Sequence, residues 1–388
     1  MAKNKTPGLD GLPAEFYLAF WSVLGSDLVD VLNCAFRLGF LSVSQHRGLI
    51  NLVFKADDRS LLKNWRPISL LCVDYKIGSR ATAGRLLRVI DRVVSPDQTA
   101  GVPGRFIGEN VAYVRDAIQY ASLKDLPLAV LTLDQEKAFD RVEWEFLFCI
   151  LERLGFGPSF CKWVQTLYTG VQSSVIVNGY LSEFFNLQRG VRQGCPLSPL
   201  LYVLVAETLA ATLKACPRIK GLSLPAPLPS PSFLSQYADD TSILVTTDDS
   251  ILAVFDVFDR YELGSGARLN LKKCKGLWVG AWQNRLSGPV DIRWSAVKLR
   301  CLGSFVGPGD LSHDNWDPRI QFLKNLLFAW RQRSLTFQGR ALVINALALS
   351  GLWYLGSVMS PPDWVISAIN AEIFSFFWSG KKDKVSAA

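Results

Sequence analysis

Phe233-Leu-Ser-Gln-Tyr-Ala-Asp-Asp-Thr-Ser-Ile-Leu-Val245 is the stretch on which the fold turns. Phe233 to Tyr237 and Thr241 to Val245 are short runs of strand-forming residues, and Ala238-Asp239-Asp240 joins them, so the stretch reads as a hairpin with two carboxylates at its tip. The four prolines from Pro225 to Pro231 just before it read as a loop. An isolated Asp-Asp pair most often only closes a turn, because Asp bonds readily to its own backbone. The surrounding sequence must therefore supply any chemical meaning.

The apolar run Leu126-Pro-Leu-Ala-Val-Leu-Thr-Leu ends on Asp134, which predicts a buried central strand with a carboxylate at its end. Asp134 and the Asp239-Asp240 pair can converge only if the two strands are neighbours in one sheet, and that pairing is expected. Carboxylates about 4 Å apart repel by roughly 4 kcal/mol at an effective dielectric near ~20, so such a cluster needs cations. With oxygen donors and no His or Cys, magnesium is the natural occupant, and a pair of ions suits in-line nucleotidyl transfer.

Further out, Asp140 and Glu143 have capping-box spacing, predicting a helix from Arg141 that turns Trp144, Phe146, Leu147 and Ile150 inward. Ser198-Pro199 reads as cap and first residue of a long, mostly buried helix. Residues 1 to 126 carry many turn signals, including Thr6-Pro7-Gly8, Asn64-Trp65-Arg66-Pro67 and Pro103-Gly104, and are expected to form an irregular, loop-rich lobe. From about Trp316 the helical period returns, with Leu323, Leu326, Leu327 and Trp330 on one face and Lys324, Arg331, Arg333 and Arg340 elsewhere. The layout is a strand-centred middle between two lobes.

Composition narrows the function classes. The 388 residues, 49% of them hydrophobic, can bury a substantial core, and 42 basic against 34 acidic side chains, a net +8, favour an anionic partner. Eight dispersed cysteines, without a Cys-x-x-Cys pair and with only two histidines, argue against zinc. Lys3, Lys5 and Asp10 near Met1 do not resemble a signal peptide, so a reducing intracellular setting is expected. Ala341 to Ser360 is uncharged and span-length, but Asn345, Ser350, Gly351 and Gly356 favour a buried helix and turn, and no membrane partner is expected.

Several motifs give this pattern a specific meaning. Lys5-Thr-Pro-Gly-Leu-Asp-Gly-Leu-Pro-Ala-Glu-Phe-Tyr and Asn64-Trp-Arg-Pro-Ile-Ser-Leu-Leu are followed by Leu133-Asp-Gln-Glu-Lys-Ala-Phe-Asp-Arg-Val, Arg192-Gln-Gly-Cys-Pro-Leu-Ser-Pro-Leu and Tyr237-Ala-Asp-Asp. In kind, order and spacing they resemble the reverse transcriptases of non-LTR (LINE-type) retrotransposons over nearly the whole chain. The resemblance implies an α+β right-hand polymerase with an antiparallel palm sheet and a helical thumb. Its divisions would be fingers over 1–126, palm over 127–308 with a helical insertion at about 144–187, and thumb over 309–388.

Carried over position by position, the resemblance makes Asp134, Asp239 and Asp240 the catalytic, metal-holding carboxylates, with the backbone carbonyl of Gln135 as a further ligand. It implies two Mg2+ ions, for which Mn2+ could substitute. Phe139 matches the steric gate that excludes a ribose 2′-hydroxyl, and ordinary core packing is its plain alternative. Gln193 and Gly194 match contacts to the nascent pair, Lys55 and Arg66 match triphosphate contacts, and Lys273 matches a proton donor to pyrophosphate. Leu302-Gly303 matches the primer-grip hairpin, with Cys301 where an aromatic residue is usual.

Arg192, Lys324, Arg331, Arg333 and Arg340 are the remaining candidates for nucleic-acid contact, and a solvated helix face is the plain reading of the last four. The partners implied are an RNA template, a DNA primer and deoxynucleoside triphosphates, with the nucleus as the family's compartment. The alternative from another class is a catalytically inactive, nucleic-acid-binding remnant. A template-independent or RNA-synthesising polymerase is disfavoured by Phe139 and a group II intron maturase by the Asn64 to Leu71 motif. No apurinic-type endonuclease stretch precedes these motifs and no Cys/His knuckle follows them, so the chain as written is not expected to nick its own target. The terminal Phe377-Trp378-Ser379-Gly380 and Ser386-Ala-Ala add no motif.

Overall fold

In a computed structural model, residues 3–224 and 233–379 are described. The proline-rich loop expected at 225–231 and the segment from Gly380 onward lie outside them. The chain forms two compact units, each assembled from three separate stretches: residues 1–105, 134–219 and 252–270 in one, and 106–133, 220–251 and 271–388 in the other.

The first unit holds a sheet in which Arg47–Phe54 pairs antiparallel with Trp65–Leu71 and parallel with Gln172–Val177. Trp65–Leu71 forms the sheet edge, although its Asn-Trp-Arg-Pro start reads as a turn. A proline fits there because the amide of Ser69, two residues on and so on the same side, donates outward to the Gln193 carbonyl at 2.7 Å. The N–H that Pro67 lacks would likewise face outward, so no ladder bond is lost.

The expectation of an irregular lobe over 1–126 is corrected by helices of 18 residues (Trp21–Leu38), 14 residues (Val73–Leu86) and 17 residues (Ile107–Leu123). Val73–Leu86 escaped notice because its buried positions include Gly78, Ser79, Thr82 and Ala83, which leave no apolar period in the sequence. Ser198–Ala215 is the long buried helix expected, with Leu201, Leu204, Leu209 and Leu213 inaccessible. Ser198 is nevertheless its first residue and not its cap. Leu197 stands at the cap position, and the Ser198 hydroxyl lies 3.2 Å from the Tyr168 hydroxyl.

The second unit is built on a sheet in the order Arg293–Ser295, Lys275–Val279, Leu128–Leu133, Asp240–Val245, Leu234–Tyr237. All neighbours are antiparallel except the first pair, which is parallel. Leu128–Leu133 is central, and its continuous apolar run follows from packing: Leu128 and Val130 join Val111, Val114 and Ile118 of the helix Ile107–Leu123, together with Leu244, Leu277 and Val279. Helices Ser312–Arg331, Ser350–Val358 and Asp363–Phe377 complete this unit.

Among the described residues, Ser198–Ala215 is long and apolar enough to cross a membrane, and 61% of it is buried within the protein. The uncharged stretch noted above forms the end of the helix Phe337–Val343, a π-turn at Ile344–Ala348 and the helix Ser350–Val358, and the pair Phe337–Ala348 and Ser350–Val358, apolar and long enough together for one span, is bent by 44°. Val343, Ile344, Ala348, Leu352, Leu355 and Val358 are its buried hydrophobic side chains.

Candidate active site

The Asp239-Asp240 hairpin is closed by the pair Tyr237↔Asp240, leaving Ala238 and Asp239 in a two-residue turn. Ala238 takes a φ of +55°, the left-handed conformation such tight turns require. The hairpin's second strand runs antiparallel to Leu128–Leu133, with Leu133 opposite Thr241. Asp134 follows Leu133 directly in the chain and Asp240 directly precedes Thr241, so the expected strand adjacency is present. Asp134 and Asp239 are half-buried and Asp240 is exposed.

In the first unit, Gln135 forms an antiparallel bridge with Leu269, with Asn270 N–H donating to the Asp134 carbonyl at 2.8 Å and Glu136 N–H donating to the Arg268 carbonyl at 2.7 Å. Those bonds turn the backbone on either side of Gln135 toward Leu269, so the Gln135 carbonyl is directed to the opposite edge. Its side-chain oxygen accepts from the Tyr202 hydroxyl at 3.2 Å, and the Tyr202 ring stacks on Phe139 with centroids 4.5 Å apart. Phe139 is thus fixed on one face and half-exposed.

The expected helix at Arg141 is corrected: Ala138–Asp140 is a 3-10 turn and the helix begins at Trp144. Asp140 is no cap, since its carboxylate accepts from the Gln193 amide at 3.0 Å. Leu147 and Ile150 point inward as expected, whereas Trp144 and Phe146 are half-buried. The Gln193 carbonyl in turn holds Ser69, and Gly194, at φ +119°, comes so close that a Cβ there would lie 2.4 Å from the Ser69 carbonyl oxygen. The 192–194 loop is therefore locked to the edge strand Trp65–Leu71 on that strand's outer side.

Lys55 and Arg66 are exposed at one end of the same sheet. Arg66 faces Val53 across the strands, and Lys55 lies two residues beyond Val53, so both basic side chains occupy one face. Lys273 is exposed in the turn before Lys275–Val279. Leu302 and Gly303, at φ +45° and +88°, form the turn between Leu299–Cys301 and Ser304–Val306. Cys301 is buried, its sulfur lies 3.7 Å from the Ser242 hydroxyl on the catalytic hairpin, and burial pushes its thiol up to about 11.

Arg192 requires a correction. Expected against nucleic acid, it is 4% exposed, donates to the His46 carbonyl at 3.3 Å and lies over the Tyr75 ring at 4.3 Å. A phosphate cannot reach a guanidinium so enclosed. In the second unit, Arg340 donates to the Phe377 carbonyl at 2.7 Å, favourably placed at a helix C-terminus, and Arg331 donates to the Ser375 hydroxyl. Arg333 is exposed beside Trp330.

Sequence reading passed over Tyr202, Ser69 and Asn110. Asn110 is a buried amide donating to the Ser235 hydroxyl at 2.8 Å and the Gln236 carbonyl at 3.0 Å. The available signal was a polar residue in line with Val114, Ala117 and Ala121 on a helix's apolar stripe. Among the described residues, Asp10, Cys72 and Asp74 have ligand atoms within 4.8 Å of one another. Burial pushes the Cys72 thiol and the Asp74 carboxyl up, which disfavours the ionised forms a metal takes.

Residues 53–323 match the family model described as reverse transcriptase (RNA-dependent DNA polymerase). The chain is similar to the transposon TX1 uncharacterized 149 kDa protein of Xenopus laevis, at 38% identity over 386 residues, covering 98% of this chain and 29% of that protein. It is also similar to the retrovirus-related Pol polyprotein from type-2 retrotransposable element R2DM of Drosophila melanogaster, at 26% identity, covering 70% of this chain and 25% of that one. It therefore spans under a third of either relative. In fold it is similar to telomerase from Candida tropicalis, solved with a TWJ fragment of telomeric RNA, at a TM-score of 0.52 and 13% identity over 94% of this chain and 59% of that one.

Proposed function

Because the chain belongs to the reverse transcriptase (RNA-dependent DNA polymerase) family, with the α+β fold of a right-hand polymerase, we propose that it extends a primer 3′-hydroxyl with deoxynucleotides on an RNA template. Residues 1–126, 127–308 and 309–388 would act as fingers, palm and thumb. The observation that supports this most directly is the register Leu133↔Thr241, which brings the strand end bearing Asp134 beside the hairpin bearing Asp239 and Asp240.

Asp134, Asp239 and Asp240 would supply oxygen donors only, and the Gln135 carbonyl is turned away from its bridge partner, a chemistry that suits a hard divalent cation such as magnesium. Asp134, Asp239, Asp240 and the Gln135 carbonyl would hold it, and when bound it supplies charge neutralisation at the phosphates and lowers the pKa of the attacking hydroxyl.

The remaining work falls to the chain's own groups. Lys55 and Arg66, on one face of their sheet, bind the triphosphate by charge-assisted bonds. Phe139, braced by Tyr202, fills the space a 2′-hydroxyl would need. Gln193 and Gly194 form a fixed ledge for the nascent pair, and Lys273 donates a proton to the departing pyrophosphate. Leu302 and Gly303 hold the primer end, while Arg333 meets duplex phosphate.

The test is primer extension on an RNA template with Mg2+ and deoxynucleotides, run beside Asp239→Asn and repeated with ribonucleotides. Extension by the parent alone, at least ~100-fold above the variant, is the expected result. Tight template-primer binding without extension would instead make the chain a binding remnant.

A further inference from the structure

The strand that delivers the catalytic pair is the outermost of its sheet. Among the described residues, Leu234–Tyr237 has Asp240–Val245 on one side and no strand on the other. In a two-residue hairpin the closing pair, here Tyr237↔Asp240, exchanges both backbone bonds, and the next pair, Gln236↔Thr241, exchanges none. The backbone N–H and C=O of Gln236 consequently point away from the partner strand, toward the open edge. Gln236 is fully buried, so its carbonyl cannot turn to water for a donor.

The donor comes from the helix Ile107–Leu123. Asn110, 3% exposed, gives one amide hydrogen to the Gln236 carbonyl at 3.0 Å and the other to the Ser235 hydroxyl at 2.8 Å. A single side chain thus clamps two consecutive residues of the edge strand, and Asp239 lies only three residues beyond the second. The turn between them is strained, since Ala238 adopts φ +55° without being glycine. The opposite strand is held independently by the central strand through five register pairs from Ala129↔Val245 to Leu133↔Thr241. The inner arm of the hairpin is therefore held by ladders on both sides, and the edge arm by a ladder on one side and Asn110 on the other.

We propose that Asn110 is a positioning residue for the polymerase reaction, fixing the edge arm of the hairpin so that Asp239 and Asp240 keep their place beside the end of the central strand Leu128–Leu133; this rests on the functional reading above. The amide is suited to the task because it alone among side chains of its size offers two hydrogens in one plane, matching a hydroxyl and a carbonyl on successive residues. Asparagine within a helix otherwise favours competing local bonds, so its place on a buried stripe in the first turn calls for a partner of this kind.

The test uses Asn110→Asp, which keeps the shape and removes both hydrogens, with Asn110→Leu as a second variant. Hydrogen exchange on the full chain, without nucleic acid, reads the hairpin directly: protection over 233–245 should fall while Leu128–Leu133 and Lys275–Val279 stay as in the parent. In primer extension, kcat should drop roughly 10- to 100-fold with the template-primer Kd unchanged, as expected for a misplaced catalytic group. Hairpin protection equal to the parent's, loss spread evenly over all three strands, or an unchanged kcat with local loss would each overturn the proposal. A parent that fails to extend primers would overturn the polymerase reading, while the exchange result would still decide whether Asn110 holds the hairpin.

Discussion

The Gln193 side-chain amide donates to the Asp140 carboxylate across 3.0 Å, joining the loop that carries Gly194 to the turn that carries Phe139. Burial pushes the Asp140 carboxyl up, and the bond from Gln193 and the charge of Lys137 pull it part of the way back. With the folded pKa above the unfolded one, this group's contribution to stability is complete below the ordinary aspartate range and is lost as pH rises through the folded value. Asp140→Asn does not titrate and can keep the bond to Gln193. Its melting temperature relative to the parent should therefore be higher at about pH 7 than at about pH 4. A difference independent of pH would show that burial does not perturb Asp140.

Gly194→Ala should destabilise by about 1–3 kcal/mol, because the new Cβ would meet the Ser69 carbonyl oxygen at 2.4 Å in a backbone conformation unfavourable for alanine. Urea unfolding measures this, and a midpoint equal to the parent's would mean that the loop is not locked to Trp65–Leu71.

Phe139→Val removes ring area from a face braced by Tyr202. The ratio of kcat/KM for a deoxynucleotide to that for its ribonucleotide should fall by roughly 10- to 100-fold, mostly through improved ribonucleotide use. If the ratio holds while stability falls, Phe139 is core and not a gate.

Arg192→Leu should cost about 2 kcal/mol or more of stability, since the His46 carbonyl loses a charged donor. The salt dependence of nucleic-acid binding should stay as in the parent. Arg333→Ala should do the reverse, lowering the slope of log K against log salt by roughly one with little change in stability. A shallower slope for Arg192→Leu would mean that its guanidinium reaches phosphate in the complex.

The one-dimensional pattern determined the hairpin at Asp239-Asp240, the central strand ending at Asp134, the buried helix from Ser198 and the family, because strand alternation, apolar runs and ordered motifs are local properties of the chain. Tertiary structure alone decided which polar side chains are enclosed. Arg192 looks like any surface base in sequence, yet Tyr75 and the His46 carbonyl, each more than 100 residues away, take its charge. Pro67 reads as a turn until the sheet shows that its missing N–H faces an open edge. Asn110 acquires a task only when the helix Ile107–Leu123 meets the strand Leu234–Tyr237. In each case the partner is distant in sequence, and a hydrogen bond's worth depends on whether water is excluded, which only the folded chain determines.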